Sequence, residues 1–174
     1  DTRYAALKSG EIDGVTDLNA IPPFLAEELK KDNNFVVYKN KSTMVRYLAL
    51  NGKKFPFNDV RMRQAVSLAI DRQDLVNALY MGYAIPTVNI LNYCSPGYKE
   101  FPVKYDLEEA KRLAHEVLGD KRVEIVYGIN GAEPLQKGEA EIIAYWLKDI
   151  GLDVKIRVLE YGTLLKMIRK GECN

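Results

Sequence analysis

Three residue types that carry much of enzyme and metal chemistry are scarce in this sequence. Its 174 residues contain one histidine, two cysteines and one tryptophan. Zinc and iron sites need several histidine and cysteine ligands at short spacings, whereas Cys94, His115 and Cys173 are widely separated. The sequence therefore predicts no metal site and no cofactor. The two cysteines are compatible with free thiols and with one disulfide bridge.

Long apolar runs and an excess of charge of one sign are also lacking. The longest apolar runs, such as residues 142–147, are well short of the roughly 18 residues that span a membrane. The 25 Lys and Arg residues nearly balance the 24 Asp and Glu residues, so the formal net charge is +1. This balance argues against a protein built mainly to bind nucleic acid or an anionic membrane surface. The composition, 47% hydrophobic and 28% charged, is typical of a globular protein.

Capping residues and apolar stripes at helical spacing predict most of the secondary structure. Asp106 opens a capping box for a helix that Gly119 ends, and Asn58 or Asp59 caps a helix that begins at Val60. Strands are predicted over 123–129 and 154–159 around a helix over 134–150, and this order predicts a parallel pair. Further helices are predicted over 1–9, 22–31 and 162–170, with a break or a new helix start at 71–74.

Three more runs, at 12–15, 35–38 and 43–50, are rich in β-forming residues and predict strands. Both faces of the last run are largely apolar, which is typical of a strand that is buried on both sides or that connects two bodies. Residues 82–105 contain several prolines and little periodicity. A loop of this length without its own secondary structure is uncommon and is often functional.

Each candidate for catalysis or nucleic-acid binding has a simpler explanation. His115 lies opposite the apolar stripe of its predicted helix, with no recognisable nucleophile beside it, and is interpreted as a solvated surface residue. Residues 128–131 lack the glycine pattern of a dinucleotide fingerprint and the Gly-Lys-Ser/Thr of a P-loop, and are interpreted as a plain turn. A small basic cluster is interpreted as the solvated start of a helix. It consists of Lys53, Lys54, Arg61 and Arg63.

The tyrosines of the irregular stretch are the best binding candidates. The chain has 11 tyrosines, and Tyr93 and Tyr98 lie in this stretch beside Asn92. A tyrosine on a loop offers an apolar face and one hydroxyl at a low entropic cost, so it is a common element of binding sites. The alternative is that these rings only pack the loop onto the body of the protein.

The order of several motifs along the chain resembles one family. Residues 51–72, NGKKFPFNDVRMRQAVSLAIDR, are similar to the signature of the extracytoplasmic solute-binding proteins of peptide and nickel ABC importers, the oligopeptide- and dipeptide-binding type. Supporting matches occur at 9–15, 82–86, 105–111 and 147–154. Each match alone is weak, and their order and spacing make the resemblance specific.

The resemblance implies a central segment of a two-lobed α/β protein. Its fold is that of a type II periplasmic-binding-protein lobe, a mixed sheet flanked by helices. Residues 1–40 would be a fragment of lobe one, and residues 41–174 most of the second lobe. Members hold ligand in the cleft between the lobes, so the resemblance implies ligand binding at Tyr93 and Tyr98, with Asn92 as their neighbour, and no catalytic residues.

The same resemblance implies a biological setting. A small peptide or other small solute and an ABC permease in the membrane are the expected partners, nucleic acid is not, and the expected state is a monomer. The expected location is extracytoplasmic, in the periplasm or as a lipoprotein on the outer face of the cell membrane. Peptide, nickel complex and oligosaccharide remain alternatives for the ligand. A ligand-sensing module of a transcription regulator uses the same fold and is the alternative function.

Overall fold

A computed structural model describes residues 1–16, 21–133 and 135–173 of the chain. These residues form seven helices and two strands. In chain order the elements are α1 (Thr2–Ser9), α2 (Pro23–Leu29), α3 (Val60–Ala69), α4 (Arg72–Tyr80), α5 (Leu107–Leu118), β1 (Val123–Asn130), α6 (Gln136–Lys148), β2 (Leu152–Leu159) and α7 (Tyr161–Lys170). No helix in the described ranges is long and apolar enough to cross a membrane.

Aspartate side chains fix the starts of several helices. Asp59 accepts a hydrogen bond from the Arg61 backbone N–H at 2.8 Å, and Asp106 accepts one from the Glu109 backbone N–H at 3.1 Å. Asp71 caps α4 in the same way, so the predicted break at 71–74 is a new helix start. Each cap satisfies an N–H that has no partner inside the helix, which explains why the sequence located these starts correctly.

The two strands pair in parallel across α6. Their register runs from Val123 opposite Leu152 to Asn130 opposite Leu159. This confirms the parallel pair predicted from the strand–helix–strand order. The predicted start of the intervening helix at Pro134 lies outside the described residues, and the helix is observed from Gln136.

The other three predicted strands are wrong. Residues 12–15, 35–38 and 43–50 are irregular, and the described part of the sheet contains β1 and β2 alone rather than a mixed sheet. A β-forming sequence becomes a strand only where its backbone N–H and C=O groups join a ladder, and these runs do not join the described ladder of β1 and β2. The α/β fold class is confirmed, because helices pack against a parallel pair.

The buried core lies in the middle of the chain. Helices α3 and α5 pack on each other, and α6 packs on the sheet. Helix α1 contributes no buried residue. The largest fully buried side chains are those of Pro56, Phe57, Met62, Ile129, Leu147 and Leu152.

Candidate functional site

An open cavity lies at the carboxyl ends of the two parallel strands. Its volume is ≈ 440 Å³. The lining residues follow each strand into the element after it: Asn130, Gly131, Ala132, Val158, Leu159, Glu160 and Tyr161. Ligands of open α/β sheets bind outside the carboxyl ends of strands, because loops and helix starts converge there. This cavity is therefore the candidate site.

A close approach of the two strand ends requires a glycine at the cavity. The Gly131 N–H donates to the Leu159 carbonyl at 2.8 Å. A Cβ atom on Gly131 would lie 2.8 Å from Cγ1 of Val158, nearer than side chains tolerate. The glycine of this turn is thus explained by packing.

Backbone amides at the carboxyl end of β1 and in the turn after it are already hydrogen-bonded within the protein. Gln136 Oε1 accepts the Asn130 N–H at 2.6 Å, and Asn130 Oδ1 accepts the Ala132 N–H at 3.1 Å. Together with the bond from Gly131 to Leu159, these contacts occupy three successive backbone donors. The interpretation of residues 128–131 as a plain turn is wrong for residues 128–130, which still belong to β1, and correct for Gly131.

A fixed negative charge borders the cavity. Glu160 caps α7 and accepts the backbone N–H of Gly162 at 2.8 Å and that of Thr163 at 3.1 Å. These two hydrogen bonds, the first being the stronger cause, lower the pKa of the Glu160 carboxyl. The carboxylate is therefore ionised at neutral pH. Beside it the Tyr161 side chain is 57% exposed and offers an aromatic surface to a bound molecule.

A buried carboxylate lies next to the turn that borders the cavity. Glu139 on α6 is 8% exposed and is the buried charged residue of the described chain. Arg46 donates to Glu139 at 3.2 Å and to Glu133 at 2.8 Å, and the Tyr80 hydroxyl donates to Glu139. These contacts join residues 43–50 to α4, α6 and the turn.

Replacing Glu139 with glutamine is expected to change the pH dependence of stability. Burial raises the pKa of the Glu139 carboxyl, and the nearby Arg46 opposes that rise. Between the unfolded-state pKa of about 4.3 and the higher native value, the native chain binds more protons than the unfolded chain. The stability contributed through Glu139 therefore falls as pH rises through this window.

Denaturant unfolding of both chains across this window measures the effect. The difference in unfolding free energy should move in favour of Glu139→Gln as pH rises, because a glutamine side chain does not titrate. A difference that stays constant with pH would contradict the burial argument.

The three residues carried over from the resemblance do not line this cavity. The Tyr93 side chain is 46% exposed, and its hydroxyl donates to the Lys41 carbonyl at 3.2 Å. A hydrogen bond with the Cys94 side chain is the main cause that raises the pKa of the Tyr93 phenol. Asn92 Oδ1 accepts the Cys94 N–H at 2.9 Å in a local turn.

Tyr98 borders a second cavity, of ≈ 340 Å³. Its backbone N–H donates to the Ser95 carbonyl at 3.0 Å, and the Ser95 N–H donates to the Asn92 carbonyl at 3.0 Å. Two successive turns therefore connect Asn92 with Tyr98, although their side chains do not share a pocket. The other lining residues of the second cavity are Ile85, Pro86, Thr87, Glu100, Phe101, Pro102 and Val103.

The remaining polar candidates have structural roles or lie in solvent. His115 has a 67% exposed side chain, which confirms the surface interpretation. Arg61 pairs with Asp59 at 2.7 Å, and Arg63 donates to the Phe57 carbonyl at 2.7 Å, as expected for a helix start. Both cysteines are free, Cys94 exposed and Cys173 half-buried. The described residues contain no group of three His, Cys, Asp or Glu side chains that could hold a metal ion.

Together the fold and the cavity define a class. A parallel strand pair flanked by helices has an open cavity at the carboxyl ends of its strands, the place where open α/β sheets bind ligands. The family model of the bacterial extracellular solute-binding proteins, family 5 middle, matches residues 1–174. The chain belongs to this family.

Relatives in sequence and in structure agree with this assignment. The periplasmic oligopeptide-binding protein OppA of Escherichia coli K12 is 31% identical over 173 residues, which are 94% of this chain and 32% of OppA. The dipeptide-binding protein of the same organism is 29% identical over 177 residues, which are 98% of this chain and 32% of that protein. The chain thus spans about a third of the length of these curated relatives.

Solved structures show the same fold. The ABC transporter-associated periplasmic binding protein DppA from Helicobacter pylori, in complex with the peptide STSA, matches with a TM-score of 0.85 and 32% identity over 99% of this chain and 33% of that one. NikA from Brucella suis, in complex with Fe(III)-EDTA, matches with a TM-score of 0.87 and 24% identity over 99% of this chain and 38% of that one. The periplasmic-binding-protein fold is therefore confirmed. OppA, the dipeptide-binding protein and DppA are named as binding proteins. Nothing in these comparisons supports the transcription-regulator alternative.

Sequence reasoning missed the cavity at the strand ends. The order strand, helix, strand was recognised, and parallel strands place their carboxyl ends at one edge of a sheet. Asn130 and Glu160, the polar residues that directly follow or end the two strands, were the available signal. The glycine patterns of phosphate loops do not detect such polar residues, because they are defined by glycine spacing.

Proposed function

We propose that the chain forms a ligand-binding portion of an ABC importer receptor for oligopeptides or dipeptides. The observation that carries the proposal is the cavity at the carboxyl ends of β1 and β2 in a chain of this family. Ligand is captured in the cleft between two lobes and delivered to a membrane permease. The proposed location is extracytoplasmic, in the periplasm or as a lipoprotein on the outer face of the cell membrane, and the proposed state is a monomer that does not bind nucleic acid.

The chemistry of the cavity suits a peptide. The Asn130 amide, the ionised Glu160 carboxylate and the Tyr161 ring provide polar groups and one aromatic surface, which match peptide N–H groups, an ammonium group and apolar side chains. The lining offers no nucleophile paired with a general base, so we propose binding without catalysis.

We further propose that residues 1–40 belong to lobe one and residues 41–174 to the second lobe. Helix α1 buries none of its residues, and the hydrophobic core is built from residues 57–152. Partly buried Leu48 and Leu50 join that core, so the boundary lies before them. In this proposal the chain supplies one wall of the cleft, and most of the opposite wall is formed by other residues of lobe one.

Weak, localised peptide binding is the expected result for the 174-residue chain. Titration with the tetrapeptide Ser-Thr-Ser-Ala, followed by amide NMR shifts, should show changes at Gly131, Ala132 and Tyr161. The dissociation constant is expected to exceed about 100 µM, because a half-cleft leaves much of the ligand in water. A nickel–histidine complex serves as the comparison probe.

Several outcomes would contradict these proposals. Sub-micromolar affinity of the isolated chain would contradict the two-lobe arrangement. Larger shifts at the cavity with the nickel complex than with the peptide would contradict the peptide assignment. The absence of any shift at these amides at millimolar peptide would contradict the site itself.

Tyr93→Ala and Tyr98→Ala test the proposed contribution of the loop tyrosines. In the full-length protein each is expected to raise the apparent dissociation constant for the tetrapeptide by about threefold or more, with little change in melting temperature, because aromatic contacts at a binding surface contribute more to binding than to folding. Tyr145→Ala on α6 is the matched control, since that side chain is 72% exposed. Equal losses of stability and affinity would favour the packing explanation.

A further inference from the structure

Arg46 connects a buried carboxylate to the wall of the cavity. Its guanidinium donates to Glu139 at 3.2 Å and to Glu133 at 2.8 Å, and these two contacts are called the Arg46 bridge below. Glu133 directly follows Ala132, which lines the cavity. The bridge therefore begins at a helix that packs on the sheet and ends at the turn beside the proposed site.

The turn has few other long-range contacts to hold it. The bonds from Ala132 to the Asn130 side chain and from Glu133 to the Asn130 carbonyl are local. The bond from Gly131 to Leu159 ties the start of the turn to β2. At its far end Glu133 makes a charged contact with Arg46, which is 87 residues away in sequence.

Glu139 fixes the position of the guanidinium. A desolvated carboxylate is costly unless it is paired and hydrogen-bonded, so Arg46 is held where it compensates that charge. The Tyr80 hydroxyl donates to the same carboxylate and limits its movement. An arginine with two carboxylate partners at a fixed spacing is more rigid than an exposed ion pair, because its planar donor fork keeps both contacts at once.

We propose that Arg46 is a positioning residue for the cavity: fixed on the buried carboxylate of Glu139, it holds Glu133 and the turn after β1 in place. The inference rests on the proposed function, since a positioned turn matters for binding only if the cavity takes ligand. Hydrogen exchange of the ligand-free chain tests the positioning role, and its result does not depend on whether the peptide binds.

Amide hydrogen exchange in the 174-residue chain tests the bridge. In Arg46→Met the protection factors of the Ala132 and Glu133 amides are expected to fall by about tenfold, the effect of losing a charged hydrogen bond that holds a local structure. The Val123 amide, which donates to the Gly151 carbonyl at 2.9 Å at the other end of β1, is the internal reference and should change by less than about twofold.

Arg122→Met is the matched control. Arg122 also makes a two-point ion pair, with Asp153 at 2.7 and 2.9 Å, at the amino ends of the strands. Its loss should leave the Ala132 and Glu133 amides unchanged. Arg46→Lys should restore part of the protection, because an ammonium reaches one carboxylate at a time. Glu133→Gln removes the charge at the turn end of the bridge alone, which weakens that contact, and it provides the test if Arg46→Met does not fold.

Two results would overturn the proposal. One is unchanged exchange at Ala132 and Glu133 in both Arg46→Met and Glu133→Gln. The other is a fall in protection that is equal at Val123, Ala132 and Glu133, because a uniform fall reports global destabilisation rather than a held turn. Failure of Ser-Thr-Ser-Ala to bind the unmodified chain would instead remove the proposed function.

Discussion

Replacing Phe57 with alanine is expected to lower the free energy of unfolding by about 3–5 kcal/mol, the range for truncating a buried phenylalanine. Phe57 has no exposed surface, and Met62 beside it in the core also has none. Truncation removes apolar contacts and leaves a cavity that close-packed neighbours fill only in part. Denaturant unfolding followed by far-UV circular dichroism measures the change.

Phe55→Ala is the control for this prediction. The same substitution two residues away removes a side chain that is 55% exposed. Its effect is expected to stay within about 1 kcal/mol, because half of the ring is already in water in the native state. Similar losses for the two variants would show that Phe57 does not have the core role that its burial indicates.

Replacing Gly128 with valine is expected to lower the free energy of unfolding by about 2–3 kcal/mol. A Cβ atom at this position would lie 2.8 Å from Cδ1 of Leu164 and 3.3 Å from Sγ of Cys173. Leu164 is buried, so it has little room to move away. Because α7 packs on β1 through this contact, the helix would be displaced, and with it Glu160 and Tyr161 at the cavity.

Gly52→Val is the matched control for Gly128→Val. A Cβ atom on Gly52 would meet nothing within 4 Å, and Gly52 is not among the glycines with positive φ. The control is expected to change stability by less than about 0.5 kcal/mol. Chemical denaturation gives the free energies, and amide exchange along α7 shows whether the helix moves. Equal free energies for the two variants would contradict a tight contact between β1 and α7.

Helix positions were the most predictable part of the fold. Asp59, Asp71 and Asp106 cap helices where the sequence placed helix starts, and Gly119 follows the end of α5 as predicted. These predictions succeed because a cap bonds to a backbone N–H two or three residues away, so the relevant partner is visible in the local sequence.

Strand predictions divided according to whether a partner was available. The runs 123–129 and 154–159 pair with each other through backbone hydrogen bonds, and both are strands. Residues 43–50 have a stronger apolar pattern than many strands, yet they lie outside the described sheet. An apolar pattern indicates that the side chains of a segment would fit a buried sheet. It does not indicate whether another strand is available to form backbone hydrogen bonds with that segment.

The sequence alone determined the helix starts capped by Asp59, Asp71 and Asp106, the parallel pairing of β1 and β2, and, through the order of its motifs, the family. Only the tertiary structure decided which distant segments form the cavity. The cavity combines residues from 130–132 and 158–161, and Arg46 reaches Glu139 across 93 residues of sequence. Caps and periodicity act over a few residues and can be recognised along the chain, whereas a cavity or a buried ion pair depends on which distant segments pack together.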